Sequence, residues 1–354
     1  MMKEAKHWLH IGVLAALTAV GGGVLSPFTA PRLPPRAKSS PKPKPAERDA
    51  YTLLFTGDVM LSRTVGARMA AQKDWSLPFH LIADTLRQAD LRYANLECPV
   101  SDRGRNQHHL YSFRADPQAI EGLKAIGFNV VSQANNHTYD WGREALLDTL
   151  DRLRAGGIQP VGAGPNVFAA HFPLLVKVGE LRLAFLAYVD IDPKEAAAKV
   201  DRAGVAWLDP AQALADIRFA RPLADLLIVC PHWGVEYARQ PTPAQVELAH
   251  QMIDAGADLI VGSHPHVVQP LEMYHGHWIA YSLGNFVFDQ HDPPTHHGLL
   301  LKAIIRHKCV AEVSPLPIVI NPSFQAALAA PPDLLDKPLQ AERRPPRRSH
   351  HEPK

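Results

Sequence analysis

Tyr51-Thr52-Leu53-Leu54-Phe55-Thr56-Gly57-Asp58-Val59-Met60 sets the pattern that the rest of the chain follows: an apolar, strand-forming run at 52–55, then a glycine that turns the backbone and presents a carboxylate. Further short runs rich in Val, Ile, Leu and aromatic residues read as strands at 91–94, 130–132, 174–178, 181–188, 226–230, 259–261 and 278–282. Amphipathic helical stretches separate them, which is the order of an α/β domain. Gly179-Glu180 and His275-Gly276 each sit between two apolar runs and read as hairpin turns, so antiparallel strands accompany the crossover units. A mixed pair of sheets with helices on the outer faces accounts for this order.

Polar clusters follow the strands, and the carboxyl ends of strands are where open α/β sheets bind ligands, so the clusters should converge. Asn95-Leu96-Glu97 places Glu97 where a strand meets a loop. In Ala134-Asn135-Asn136-His137-Thr138-Tyr139-Asp140 an amide oxygen and an imidazole stand side by side, a pairing suited to hard-to-borderline metals and phosphoryl oxygens. Pro231-His232-Trp233-Gly234-Val235-Glu236 puts His232 at the exit of a central strand. Gly262-Ser263-His264-Pro265-His266 carries two imidazoles that point to one side if the backbone stays extended, as Pro265 encourages for its neighbour, and two such histidines commonly share a metal. The last cluster, Tyr281-Ser282-Leu283-Gly284-Asn285-Phe286, either closes the site with Asn285 or turns the chain at Gly284.

The chain of 354 residues, 46% hydrophobic and 20% charged, is long enough for a large globular core. A net charge of +2 with no basic face in the body gives no footprint for a nucleic-acid partner. Cys98, Cys230 and Cys309 are too few and too far apart for a disulfide framework or a zinc ribbon, and read as buried small hydrophobes. Residues 9–28 form an uncharged apolar run flanked by Lys3, Lys6, Arg32 and Arg36, as a secretion signal or a single anchor requires. Phe28 suits cleavage after Ala30 poorly, which favours an uncleaved anchor. The organisation expected is a signal or anchor at 1–30, a Pro-rich linker at 31–50, one folded domain at 51–330 and a basic disordered tail at 331–354. The folded domain is then expected outside the cytoplasm, held at the cell membrane or secreted after cleavage.

Together these motifs, in this order and over roughly residues 51–319, resemble the bacterial capsule-synthesis proteins of the CapA type, linked to poly-γ-glutamate. That family is similar to the calcineurin-like metallophosphoesterases, which implies a four-layer α/β/β/α sandwich with a metal centre at the sheet edge. The resemblance implies Asp58, Glu97, Asn136, His232, His264 and His266 as ligands of a divalent ion, Mn, Fe or Zn by donor type. It implies His137 as an acid or oxyanion contact beside the ion. Asp140 either orients His137 or caps the following helix. Asn95, Asn135, Glu236 and Asn285 are the expected substrate contacts. The phosphoesterase pattern has a histidine two residues after its first Asp, where this chain has Met60, a poor ligand for hard metals. The function implied is metal-dependent hydrolysis or transfer in making or exporting a capsule polymer. The partners implied are that anionic polymer or its precursors, the membrane through the N-terminal segment, and other capsule synthase subunits. The alternative is a non-catalytic anchored subunit of a polymer synthase complex.

Overall fold

The structure, a computed structural model, describes residues 48–329. The expected signal or anchor at 1–30, the linker up to residue 47 and the tail at 331–354 lie outside the described residues. Among the described residues no helix is long and apolar enough to cross a membrane.

Two sheets face each other. The eight-stranded sheet runs Ala326–Leu328, Cys309–Ile320, His297–Arg306, Tyr51–Val59, Leu91–Leu96, Val130–Ser132 and Gln159–Val161, with Asn285–Val287 also paired to Tyr51–Val59. Its half from Tyr51–Val59 to Gln159–Val161 is parallel and its C-terminal half antiparallel. The six-stranded sheet runs Leu271–Tyr274, His277–Ala280, Leu259–Val261, Leu226–His232, Leu181–Val189 and Leu174–Val178, parallel at the centre with an antiparallel strand at each edge.

Period-two side-chain alternation sorts the core into three layers. Leu53 and Phe55 face Leu183, Phe185, Ile228 and Val261 between the sheets, where Tyr93 and Phe185 stack at 6.1 Å. Leu54 and Ala94 point the other way, onto Val65, Met69, Leu86, Leu123 and Ile126 of the helices Arg63–Gln72, Ala83–Arg87 and Ala119–Ile126. Leu186, Tyr188 and Ile260 pack on Ala213, Ile217, Ala249 and Met252 of the helices Pro210–Ala220 and Pro243–Asp254. The order is helix, sheet, sheet, helix: the four-layer sandwich.

Both expected hairpins form, with Val178 opposite Leu181 and Tyr274 opposite His277. The strands His297–Arg306 and Cys309–Ile320 have no counterpart in the sequence reading. Their turn is His307-Lys308, both at positive φ without a glycine, and Pro315 and Pro317 argue against a strand. Those prolines are tolerated because Ala326–Leu328 pairs only at Ile318–Ile320, and the far-side backbone bond at Pro317, from the Ala329 N–H, uses the carbonyl that proline keeps. Cys98 and Cys230 are buried as expected, whereas Cys309, beside that turn, is exposed.

The opening motif also needs correction. The first strand does not end at Phe55 with a turn at Gly57; it continues to Val59 through a bulge between Phe55 and Asp58. Glycine is required because the Asn285 segment crosses there: a Cβ on Gly57 would lie 1.8 Å from the Gly284 carbonyl oxygen. Gly57→Ala should therefore force two backbones apart and cost about 3 kcal/mol or more, read as a lowered urea midpoint of the full chain. An unchanged midpoint would contradict this crossing.

Candidate metal centre

The polar clusters converge at the carboxyl end of the parallel strands, where the two sheets meet. Asp58 is fully buried; its backbone N–H donates to the Gly284 carbonyl and its Oδ1 accepts from the Asn95 amide at 2.8 Å. Asn95 is opposite Asp58 in the parallel register, which is why the second cluster meets the first. Glu97, also fully buried, is held by its backbone N–H to the Val59 carbonyl. Its Oε2 accepts from Asn95 at 3.3 Å, and its Oε1 has no hydrogen-bond partner among the described residues.

Three histidines reach the same space from the six-stranded sheet. His232 ends its strand and is fixed by the parallel bridge to Ser263. Its Nδ1 lies 3.0 Å from the Ser263 hydroxyl and its Nε2 donates to the Asn136 amide oxygen at 2.8 Å. His266 Nδ1 donates to the Asn285 amide oxygen at 2.9 Å and lies 3.3 Å from Asp58 Oδ2, while its Nε2 lies 3.7 Å from Glu97 Oε1. His264 is buried with Nδ1 unpartnered among the described residues, and its ring is 4.8 Å from that of His232. The backbone that presents this pair is not extended: His264 and His266 both take positive φ, 99° and 59°. The two rings nevertheless share the site, 5.9 Å apart.

His137 sits at the mouth. Its Nδ1 is 2.8 Å from Asp140 Oδ2, its Nε2 is 3.9 Å from Glu97 Oε1, and its ring stacks on Phe113 at 3.9 Å. Asp140 also takes the Phe113 backbone N–H at 2.7 Å and His109 at 3.0 Å. It does not cap the next helix, whose N-cap residue is Trp141 with no side-chain cap. Of the expected substrate contacts, Asn95, Asn135 and Asn285 are wholly buried with their amides committed within the protein. Asn135 donates to Asn95 and to the Leu96 carbonyl and accepts from Thr138. Asn285 donates to Gln290 and to the Thr295 carbonyl. These three therefore support the site from behind, and only Glu236 is exposed to a ligand.

Burial, then the Asp58 carboxylate, pushes the Glu97 carboxyl well above its usual range. Burial, then the neighbouring imidazoles, pushes His232 well below its usual value and His264 down to about 3. Burial thus favours the neutral imidazoles of His232 and His264 and a Glu97 carboxyl that resists ionisation. Unpaired acceptors on Glu97 and His264, and ligand atoms of Asp58, Glu97 and His266 within 4.8 Å of one another, fit a divalent cation. Met60 takes no part. It is buried with its sulfur accepting from the Ser62 backbone N–H and hydroxyl, both at 3.1 Å.

The centre opens into a cleft of about 430 Å³ lined by Arg63, Phe113, His137, Glu236, Tyr237 and His266, among others. The Arg63 guanidinium lies over the Phe113 ring at 4.6 Å and the Phe288 ring at 5.8 Å and pairs with Asp289. The sequence reading missed Arg63 and Asp289, although they stand only five residues after Asp58 and four after Asn285. It also missed Phe113 and His109, which lie in a segment without periodicity that offered no signal.

The family described as bacterial capsule synthesis protein PGA_cap matches residues 52–290. The chain is 34% identical over 293 residues to the PGA biosynthesis protein CapA of Bacillus subtilis strain 168, covering 81% of this chain and 76% of the relative. Among solved structures it is similar to a hypothetical protein from Thermus thermophilus, with TM-score 0.50 and 18% identity over 75% of this chain and 98% of that one. A likeness to the calcineurin-like phosphoesterase YfkN of Bacillus subtilis has TM-score 0.43 and 13% identity, over 76% and 90% of the two chains. The chain belongs to the bacterial capsule synthesis protein family.

Proposed function

We propose that the chain is a metal-dependent hydrolase of the cell envelope, acting on an anionic capsule polymer of the poly-γ-glutamate kind or on its precursors. The observation that carries this reading is the buried Asp58, Glu97 and His266 set, with its unpaired Glu97 oxygen, opening beside His137 and Asp140 onto one cleft. Family membership and the name of the Bacillus subtilis relative, a PGA biosynthesis protein, support the polymer assignment.

Asp58, Glu97 and His266, joined by Asn136, His232 and His264, would hold the ion, and Mn, Fe and Zn all suit these donors. A divalent ion there supplies Lewis acidity to the scissile carbonyl or phosphoryl group and makes water a nucleophile near neutral pH. The protein does the rest. Asp140 accepts from Nδ1 of His137 and fixes the ring, so Nε2 faces the cleft and can carry a proton to the leaving group. Phe113 packs against that ring and limits its rotation. Arg63, held between two aromatic rings and Asp289, provides a fixed positive charge for an anionic group of the substrate. In this reading residues 9–28 hold the domain to the membrane, outside the cytoplasm, near other subunits of a capsule synthase.

Hydrolysis of a phosphodiester and of poly-γ-glutamate by the full chain should depend on added Mn²⁺ and stop with chelator. His137→Ala should lower kcat by about 100-fold or more, and Asp140→Asn by about 10- to 100-fold, with bound metal unchanged. Metal bound without turnover of either substrate would transfer the protein to the non-catalytic reading of an anchored synthase subunit. Cell fractionation tests the location: the full chain should sediment with membranes and a chain lacking residues 1–30 should not, while a soluble full chain would refute the anchor.

A further inference from the structure

The loop that follows His232 is tied to the loop that carries His264 and His266. His232 bridges to Ser263, Trp233 N–H donates to the Ser263 carbonyl at 3.1 Å, and Ser263 N–H returns a bond to the Pro231 carbonyl at 3.0 Å. Beyond Gly234, at φ 94°, the chain doubles back, and Tyr237, at φ 62°, donates its N–H to the Pro265 carbonyl at 2.8 Å. Glu236 stands between these ties. One of its carboxylate oxygens lies within 4.8 Å of a ring nitrogen of His264 and of His266, which are within the same distance of each other. His264 Nδ1 has no hydrogen-bond partner among the described residues although its side chain is almost wholly buried. Hydrogen bonding to Asn285 occupies Nδ1 of His266 and leaves Nε2 as its free donor atom.

We infer that Glu236 is itself a metal ligand, closing with His264 and Nε2 of His266 the solvent side of the cation site that Asp58 and Glu97 line from within. This rests on the metal-centre reading of the same site and assigns Glu236 to the ion rather than to the substrate. The donor set is one carboxylate and two imidazoles, suited to Mn, Fe or Zn. It also accounts for Met60. With the thioether turned onto Ser62, the first motif offers one ligand fewer than the phosphoesterase pattern, and a carboxylate arrives from the opposite wall. Because Glu236 is exposed and the other donors are buried, the position it completes is the one that solvent and substrate reach.

The test is binding of Mn²⁺ alone to the full chain freed of metal, with unbound ion counted by electron paramagnetic resonance. Wild type, Glu236→Ala and the isosteric Glu236→Gln are compared. Both variants should bind Mn²⁺ at least about tenfold less tightly, or lose it. Their metal-free unfolding temperatures should match wild type, since the side chain is exposed. Wild-type Mn²⁺ affinity in both variants, including the case of a raised KM alone, would overturn the inference and leave the hydrolase reading intact. A wild-type chain that binds no Mn²⁺ would overturn both.

Discussion

Two carboxylates, Asp58 and Glu97, lie side by side with no exposure to water, and the polar interior is built around that fact. Buried like charges cannot both stay ionised without compensation. Amide groups give part of it: Asn135 donates to Asn95, and Asn95 donates to both carboxylates. A backbone group gives more, since the His264 N–H donates to Asp58 Oδ2 at 3.4 Å. What these donors leave unmet is one oxygen of Glu97, and burial, with the Asp58 carboxylate beside it, raises the affinity of that carboxyl for a proton. A proton or a cation can fill it, and a network left partly satisfied is costly in a low-dielectric interior.

The sandwich supplies these groups because strands from both sheets end at one place. The parallel half of the first sheet delivers Asp58, Asn95 and the segment 135–140, in neighbouring register. The second sheet delivers His232 and the loop with His264 and His266, also from neighbouring parallel strands. The Asn285–Val287 strand, inserted beside Asp58, places Asn285 behind His266. No single element carries the site. A change in the spacing of the sheets would separate donors from acceptors, so the apolar layer containing Phe55, Tyr93 and Phe185 sets the geometry of the polar end as well as stability.

Most of the candidate site was legible because its chemistry is local: the candidate residues expected from sequence lie at or shortly after strands, and alternation marks those strands. Val130–Ser132, Leu174–Val178 and Leu259–Val261 could be read to the residue for this reason. Three things escaped besides the cleft residues. The crossing that makes Gly57 necessary is a contact between distant segments, so in sequence Gly57-Asp58 looks like a turn. The final hairpin turns on His307-Lys308 and carries two prolines, so local signals contradict the pairing that tertiary context imposes. The third is the division of labour among the asparagines. Asn95, Asn135 and Asn285 look like ligand contacts, and only burial and their committed amides show that they hold other residues in place.

The antiparallel hairpin of His297–Arg306 and Cys309–Ile320 has a consequence for the birth of the molecule. Tyr51–Val59 lies between Leu91–Leu96, made soon afterwards, and His297–Arg306, made much later. Thr64 and Asp289, 225 residues apart, are joined just beyond the pairing of Tyr51–Val59 with Asn285–Val287. At about 5–20 residues per second of synthesis, the founding strand waits on the order of ten seconds or more with one edge open. Pairings this distant in sequence also fold slowly once complete, because a long loop must close before any of its contacts are gained. A nascent chain of this design stays unfinished, and open to whatever holds or moves unfolded polypeptide, until His297–Arg306 is released.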